Sequence, residues 1–420
     1  EIGVRLVGSE MCIRDSFGAS SRFFYYNIHS PPWQGAVLLA DKEAPMHYLD
    51  YAATTPVPVP VAEVMTAVLT QDFGNPSAQY PLGRAARDLV EDSRAAVAAA
   101  LGAKPQQLLF TSCGTEGDNW AIRAALWQNR RVGKHIVSTA VEHSAILQCL
   151  KALEQEGYEV TLVKPDSAGR ITAEQILSAV REDTALVSMM LVNNENGVRF
   201  PVEEVAAALK GRLTLLHTDA IQGFLKMPFT AASLGADLIT LSGHKIGGPK
   251  GIGALYWGGK MKTPRPLLYG GGQESGLRPG TEPTAQMAGF AAAVRRRKAS
   301  MEADIAHMAA CRSYALERTA DIPGLVQVGE GTAPHILSLS LPGYPSQNIV
   351  SDLGEQGICI SAGSACHKGK LSHVLTAMNL PKKVAAGTIR VSFGPETTKE
   401  DIDAFADALR AHQKNRFPML

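Results

Sequence analysis

Residues 213–251 read LTLLHTDAIQGFLKMPFTAASLGADLITLSGHKIGGPKG. Two apolar runs in this stretch, Leu213 to His217 and Leu238 to Leu241, have the length and composition of buried strands. Residues able to do chemistry follow each run: Asp219 and Gln222 after the first, Ser242, His244 and Lys245 after the second. In an open α/β sheet, ligands sit at the carboxyl ends of the strands. Lys245, on a turn just before Gly247-Gly248-Pro249-Lys250-Gly251, is placed to present its amine in such a cleft. The alternative is a solvated loop lysine. The glycine run is not a phosphate-binding P-loop, because no Gly-Lys-Ser/Thr closes it.

The alternation extends in both directions. Gly83 to Leu101 is alanine-rich with a helical period, Gln107 to Thr111 is a short apolar strand, and Glu116 to Trp127 returns to helix. His135 to Thr139, Glu159 to Val163 and Ala185 to Val192 read as further buried strands, with helices at Ala173 to Arg181 and Val202 to Leu209. This βαβα order predicts an α/β domain with a mainly parallel sheet. Thr284 to Thr319 has few breakers and predicts one long helix bridging to a second unit. That unit reads as strand His335 to Leu341, helix Gln347 to Glu355, strand Ile358 to Ile360, helix Leu371 to Met378, strand Thr388 to Phe393 and helix Lys399 to His412, a compact α+β arrangement.

The chain has 420 residues, 45% hydrophobic and 19% charged, a globular composition long enough for two domains. Its 41 basic and 40 acidic residues balance, which argues against nucleic acid or an anionic membrane as the main partner. Six cysteines without Cys-x-x-Cys or zinc-site spacing fit a reducing, cytoplasmic setting. No apolar run reaches the length of a membrane span. The first 45 residues differ: they hold Arg5, Arg14, Arg22, the aromatic cluster Phe23 to Tyr26 and Pro31-Pro32, with no persistent helical or strand period. The expected native start is Met46, with residues 1–45 a non-native or disordered extension arising from mistranslation or sequence artefact. A targeting segment is the alternative.

Several residues suit pyridoxal phosphate. A carboxylate at a strand end is costly unless paired, and Asp219 facing a pyridine nitrogen would keep that ring protonated as an electron sink. Gln222 would then meet the ring's phenolic oxygen. The alternative for Asp219 is a helix N-cap. Thr111-Ser112-Cys113-Gly114-Thr115-Glu116 closes a strand and opens a helix, exposing amides that suit a phosphate. A simple capped turn is the other reading. Ser242 and His244 would add phosphate donors. His143, just after a strand, suits ring stacking and proton transfer, or merely a helix start. Cys366, in Ser361-Ala362-Gly363-Ser364-Ala365-Cys366-His367-Lys368-Gly369-Lys370, has small and basic neighbours that keep a thiol accessible and favour its thiolate. Cys149 and Cys311, within helical patterns, read as buried and inert. Arg390 is a charge inside an apolar strand. A substrate carboxylate or a structural salt bridge would explain it.

In order and spacing, these runs resemble the cysteine desulfurases of the NifS/IscS type, within the class V aminotransferase family. The matching runs include Tyr48 to Pro56, Phe73 to Ser77, Thr111 to Asn119, Glu142-His143, Val192 to Gly197, His217 to Gln222, Ser242 to Gly253, Gly270 to Glu274, Arg278 to Thr281 and Ser361 to Cys366. The resemblance implies a fold-type I enzyme. Its large domain, residues 61–300, would carry a mainly parallel seven-stranded sheet flanked by helices. A smaller α+β domain, residues 46–60 and 301–420, would carry the catalytic cysteine.

Lys245 then looks like the Schiff-base lysine, Asp219 the pyridinium partner, and Gln222 and Asn194 partners on the phenolic side, with Asn194 also near substrate. His143 resembles the stacking acid/base, and Gly114, Thr115, Ser242 and His244 resemble phosphate binders. Thr281 would reach the phosphate of the other subunit of a homodimer. Arg390 would clamp the substrate carboxylate and Cys366 would accept sulfur. L-cysteine is the implied substrate, and an iron–sulfur scaffold or a tRNA-thiolation enzyme the implied kind of acceptor. Cys113 and Asn196 depart from the usual pattern, and the loop after Cys366 is about two residues shorter than in long-loop relatives. A selenocysteine lyase, an aminotransferase of the same fold, and a non-catalytic scaffold are the competing readings. A transaminase has no need of Cys366, and a scaffold would be expected to lose Lys245, Asp219 or His143.

Overall fold

The structure, a computed structural model, describes residues 46–363 and 371–419, together with the backbone of three short strands before them. Those strands, Val4–Val7, Glu10–Ile13 and Tyr26–Asn27, pair antiparallel within a unit of their own. This corrects the expectation that no strand pattern holds there. The signal lay in two four-residue runs separated only by Gly8-Ser9, a hairpin composition.

Residues from His47 onward form a second compact unit. Its main sheet has seven strands: β1 Leu108–Thr111, β2 His135–Thr139, β3 Glu159–Val163, β4 Thr184–Ser188, β5 Leu215–Asp219, β6 Leu238–Ser242 and β7 Gly253–Trp257, in spatial order β1-β7-β6-β5-β4-β2-β3. Only β7 runs against its neighbours, pairing antiparallel with β6 and β1; the other pairs are parallel. The sequence reading gave no strand there, because Gly253 and the glycines before it interrupt the apolar pattern. A glycine is required at 253: a Cβ would lie 2.7 Å from the Leu241 carbonyl and 2.9 Å from Thr111 Oγ1. The antiparallel step lets β6 return through a turn instead of a crossover helix, and that turn carries Lys245.

Most strands are buried along their whole length, as helices on both faces demand. β3 is the exception. It was read as buried, but it is an edge strand with exposed residues, and its alternating Glu159-Val160-Thr161 pattern fits that place. Among the covering helices are α1 Val59–Thr70, α2 Pro81–Ala100, α3 Gly114–Gln128, α4 Ser144–Gln155 and the long α5 Thr284–Thr319, which packs on α1 and α2. The sequence reading placed no helix at α1, whose start holds Pro58 and Pro60. Proline at the first turn costs no hydrogen bond, and the helix starts there.

Beyond α5, strands β8 Val326–Gln327, β9 Ile336–Ser340, β10 Ser361–Ala362 and β11 Thr388–Ser392 form an antiparallel sheet in the order β8-β9-β11-β10. The C-terminal helix α6, Lys399–Asn415, opens on a Thr398/Asp401 capping box. A separate apolar core, including Leu49, Met308, Leu337, Ile389, Val391 and Phe405, lies in this part. Among the described residues, no helix is long and apolar enough to cross a membrane.

Candidate active site

The carboxyl ends of β1, β2, β5 and β6 open onto one cavity of about 370 Å³, a size typical of small-ligand sites. Gly114, Thr115, His143, Asn194, Asp219, Gln222, Ser242, His244, Lys245 and Arg390 all line it. A larger hollow of about 760 Å³ opens beside α2, around Glu274. It holds the Arg94–Glu274 ion pair but lacks any group with a nucleophile's environment, so size alone does not identify the site.

Lys245 ends the single 3₁₀ turn after β6. Its Nζ donates to the carbonyls of Ala52 (2.8 Å) and Ala53 (2.6 Å). Burial, reinforced by Arg390, pushes its pKa down to about 8, with Asp219 and Asp50 acting against the shift. Asp219 is the last residue of β5, two residues beyond the expected strand end, and is buried. Its Oδ1 accepts from the Ile221 amide (2.9 Å) in a turn that opens no helix, so the helix N-cap alternative does not hold. Burial raises its pKa, while that amide, His143 and Lys245 pull the other way. A cation set against it would add to that pull.

His143 caps α4, its Nδ1 accepting from Ala145 N–H (3.2 Å), which leaves the ring proton on Nε2. The helix-start and cavity-lining readings of this residue are thus both realised. Burial lowers its pKa, so the ring is a neutral imidazole available as a base. Cys113 is the N-cap of α3, and the helix begins at Gly114 and Thr115. Glu116 in its first turn accepts from the Ser112 amide (2.7 Å) and pairs with Arg278 (3.0 Å), which fixes the turn. Burial would raise the Glu116 pKa, but Arg278 and Ser112 outweigh it and hold the carboxyl below its usual range. Ser242 Oγ is buried, with no partner among the described residues. His244 Nδ1 lies 3.2 Å from Thr54 Oγ1, and burial takes its pKa down to about 4.

Arg390, on β11, pairs with Asp50 (2.8 Å) and donates to Ser361 Oγ (3.0 Å) and to the Asn194 carbonyl (2.8 Å), while its buried Nε has no partner among the described residues. The structural salt bridge named as an alternative therefore exists, in a side chain that also faces the cavity. Gln222 Nε2 donates to the Ala52 carbonyl (2.9 Å). Thr281 is exposed in a loop and does not line this cavity. Cys366 lies outside the described residues. Cys149 and Cys311 are buried, as expected.

Sequence reasoning missed Asp50, Glu142, Lys226 and His335. Asp50 sits in the apolar run Tyr48 to Ala53, where a lone carboxylate was a usable signal. Glu142 is fully buried, and burial pushes its pKa up to about 8 despite bonds from Thr139 Oγ1 and the Met190 amide. Asp118 Oδ1 is 3.7 Å from His217 Nε2. Burial moves the acid well above and the histidine down to about 3, so this is a contact between neutral groups.

These features fit pyridoxal phosphate. A buried carboxylate faces the cavity, amides open α3, an unpartnered Ser242 hydroxyl lies beside them, and an amine of lowered basicity stands among them. The sequence profile described as "Aminotransferase class-V" matches residues 47–405. Cysteine desulfurase IscS of Vibrio vulnificus (strain YJ016) is 40% identical over 374 residues, covering 86% of this chain and 91% of that protein. Putative cysteine desulfurase IscS 1 of Bacillus subtilis (strain 168) is 37% identical over 365 residues, covering 86% and 96%. A solved structure described as a NifS-like protein superposes with a TM-score of 0.83 at 34% identity, covering 89% of this chain and all of that one. The chain therefore belongs to the class V aminotransferase family, among its IscS- and NifS-type members.

Proposed function

We propose that this chain is a pyridoxal-phosphate-dependent cysteine desulfurase that removes sulfur from L-cysteine, releases L-alanine and leaves a persulfide on Cys366. The observation that carries this reading is the convergence of Lys245, Asp219, His143 and Arg390 on one cavity. The IscS and NifS-like relatives support it. Lys245 would anchor the cofactor, Asp219 would face the ring nitrogen, and His143 would cover the ring. Gly114, Thr115, Ser242 and His244 would hold the phosphate, with Thr281 completing the site of the other copy in a homodimer.

When bound, the cofactor supplies an electron sink for negative charge developing at the substrate Cα. Arg390, which lines the cavity, would bind the substrate carboxylate, with Asp50 orienting the guanidinium. Lys245, with its pKa near 8, is a suitable acceptor for the α-proton. The Cys366 thiolate attacks the substrate sulfur, the C–S bond breaks with its electron pair retained on the carbon side, and protonation there gives alanine. Atoms balance as cysteine plus enzyme thiol giving alanine plus enzyme persulfide. An acceptor protein in the cytoplasm, such as an iron–sulfur scaffold or a tRNA-thiolation enzyme, would then take the sulfur. The division into residues 61–300 and residues 46–60 with 301–420 belongs to the same reading, and the separate apolar core around Leu49 and Met308 supports it.

Cys366→Ala tests the assignment. Sulfide release from cysteine is expected to vanish while the cofactor's absorbance is retained. Undiminished turnover in that variant would sink the desulfurase reading.

A further inference from the structure

Three buried side chains, Gln222 and Lys226 of one turn and His335 from far along the chain, meet behind the cavity wall. Lys226 Nζ lies 2.9 Å and His335 Nε2 3.2 Å from Gln222 Oε1. On the other side, Gln222 Nε2 donates to the Ala52 carbonyl, which also accepts from Lys245 Nζ. The polarity of the amide follows from its partners. An ammonium or amine donates to Oε1 and a carbonyl accepts from Nε2, so the oxygen faces Lys226 and His335 while the NH₂ faces Ala52 and the cavity. His335 must then carry its proton on Nε2, which leaves Nδ1 buried without a partner among the described residues.

Neither Lys226 nor His335 lines the cavity, and both are costly where they stand. Lys226 is 2% exposed and His335 is fully buried, and among the described residues neither pairs with a carboxylate. Burial first, then nearby cations, moves both well below their usual pKa ranges. An apolar side chain would occupy either place at lower cost. Basic side chains kept buried without a carboxylate against a site point to a role in that site.

We propose that Lys226 and His335 are positioning residues that lock the Gln222 amide so that its remaining N–H is offered to an anionic oxygen of the ligand in the cavity. This rests on the pyridoxal-phosphate reading, in which that oxygen is the ring's phenolic oxygen. Removing either donor loosens the amide, leaving only the other donor and the Ala52 carbonyl to oppose a turn that would present Oε1 to the ligand instead. An acceptor set against an anionic oxygen repels it, whereas a donor stabilises it.

The test is a pH titration of the cofactor's visible absorbance band in reconstituted protein. Stabilising the anionic oxygen lowers its proton affinity, so losing the lock raises the titration midpoint. Lys226→Met and His335→Leu are each expected to raise it by about one unit, roughly tenfold in proton affinity and comparable to one charge-assisted hydrogen bond. His335→Gln, which keeps an N–H near the place of Nε2, is expected to restore it. Adding Lys226→Met to Gln222→Leu is expected to move the midpoint no further than Gln222→Leu alone. A purely structural role would instead lower thermal stability and leave the midpoint unmoved. If His335→Leu does not fold, Lys226→Met carries the test. A bound cofactor whose midpoint is unchanged by Lys226→Met overturns the inference. A wild-type chain that takes up no cofactor overturns this inference together with the reading beneath it.

Discussion

Lys245 loses basicity by burial, and that loss has a consequence measurable without any substrate. Above pH 10.5 the folded and unfolded chains both carry the neutral amine, and burial exacts nothing by this route. As pH falls from 10.5 to about 8, the unfolded chain binds a proton that the folded chain does not; below about 8 the whole cost stands. The difference corresponds to about 3.5 kcal/mol. Lys245→Met in the cofactor-free protein is therefore expected to raise stability at neutral pH, less whatever the orphaned Ala53 carbonyl takes back. The gain should shrink as pH rises from 8 to 10.5. Denaturant midpoints across that range check it, and a pH-independent difference would contradict the buried-amine account.

At the scale of elements, the turn between β2 and α4 holds the site together. Glu142 in this turn accepts from Thr139 Oγ1 at the end of β2 (2.6 Å) and from the Met190 amide just beyond β4 (3.0 Å), while its carbonyl accepts from His373 Nε2 (2.8 Å). Its next residue is His143. Glu142 is an acid whose pKa rises on folding from 4.5 to about 8, so its contribution is fully present below pH 4.5 and is lost as pH rises through about 8. Glu142→Gln keeps an oxygen for both donors and removes the titration. Relative to wild type it should grow more stable between pH 4.5 and 8, by on the order of 5 kcal/mol at the plateau, as read by chemical unfolding at several pH values.

Across the whole molecule, distant segments are tied to the cavity walls by a few buried polar bonds. Arg94 on α2 grips both oxygens of Glu274 (2.7 and 2.6 Å), and Glu274 also accepts from the Phe110 amide of β1 (2.8 Å). Glu274 and Ser275 both have positive φ, 48° and 58°, a strained conformation that these bonds hold in place. Arg94→Ala leaves a buried carboxylate unpaired and is expected to cost about 3–5 kcal/mol in unfolding free energy. The double variant Arg94→Met/Glu274→Gln should recover part of that loss. The residues flanking 364–370 are tied in the same way: Ser361 Oγ bonds Asp50 (2.8 Å) and Ser372 Oγ bonds Glu195 (2.6 Å). Cys366 thus lies in sequence between two anchors of the site.

Sequence alone determined much of this protein. The strand end at Thr111 and the long helix Thr284–Thr319 were legible, while the strands read as ending at His217 and Leu241 run on to Asp219 and Ser242. Lys245, Asp219, His143 and Arg390 were legible as candidates that turn out to line one cavity, because apolar runs of strand length and the polar residues near them are local signals. The reversed strand β7 was not, because its glycines hide the pattern and its direction depends on which neighbours it pairs with. Nor were the partners of Arg390 and Gln222. Asp50 lies 340 residues from Arg390 and His335 lies 113 from Gln222, and no local period encodes such pairings. Only tertiary structure decides which polar groups are buried together. Burial is what moves Lys245 toward neutrality and makes Lys226 and His335 costly enough to notice.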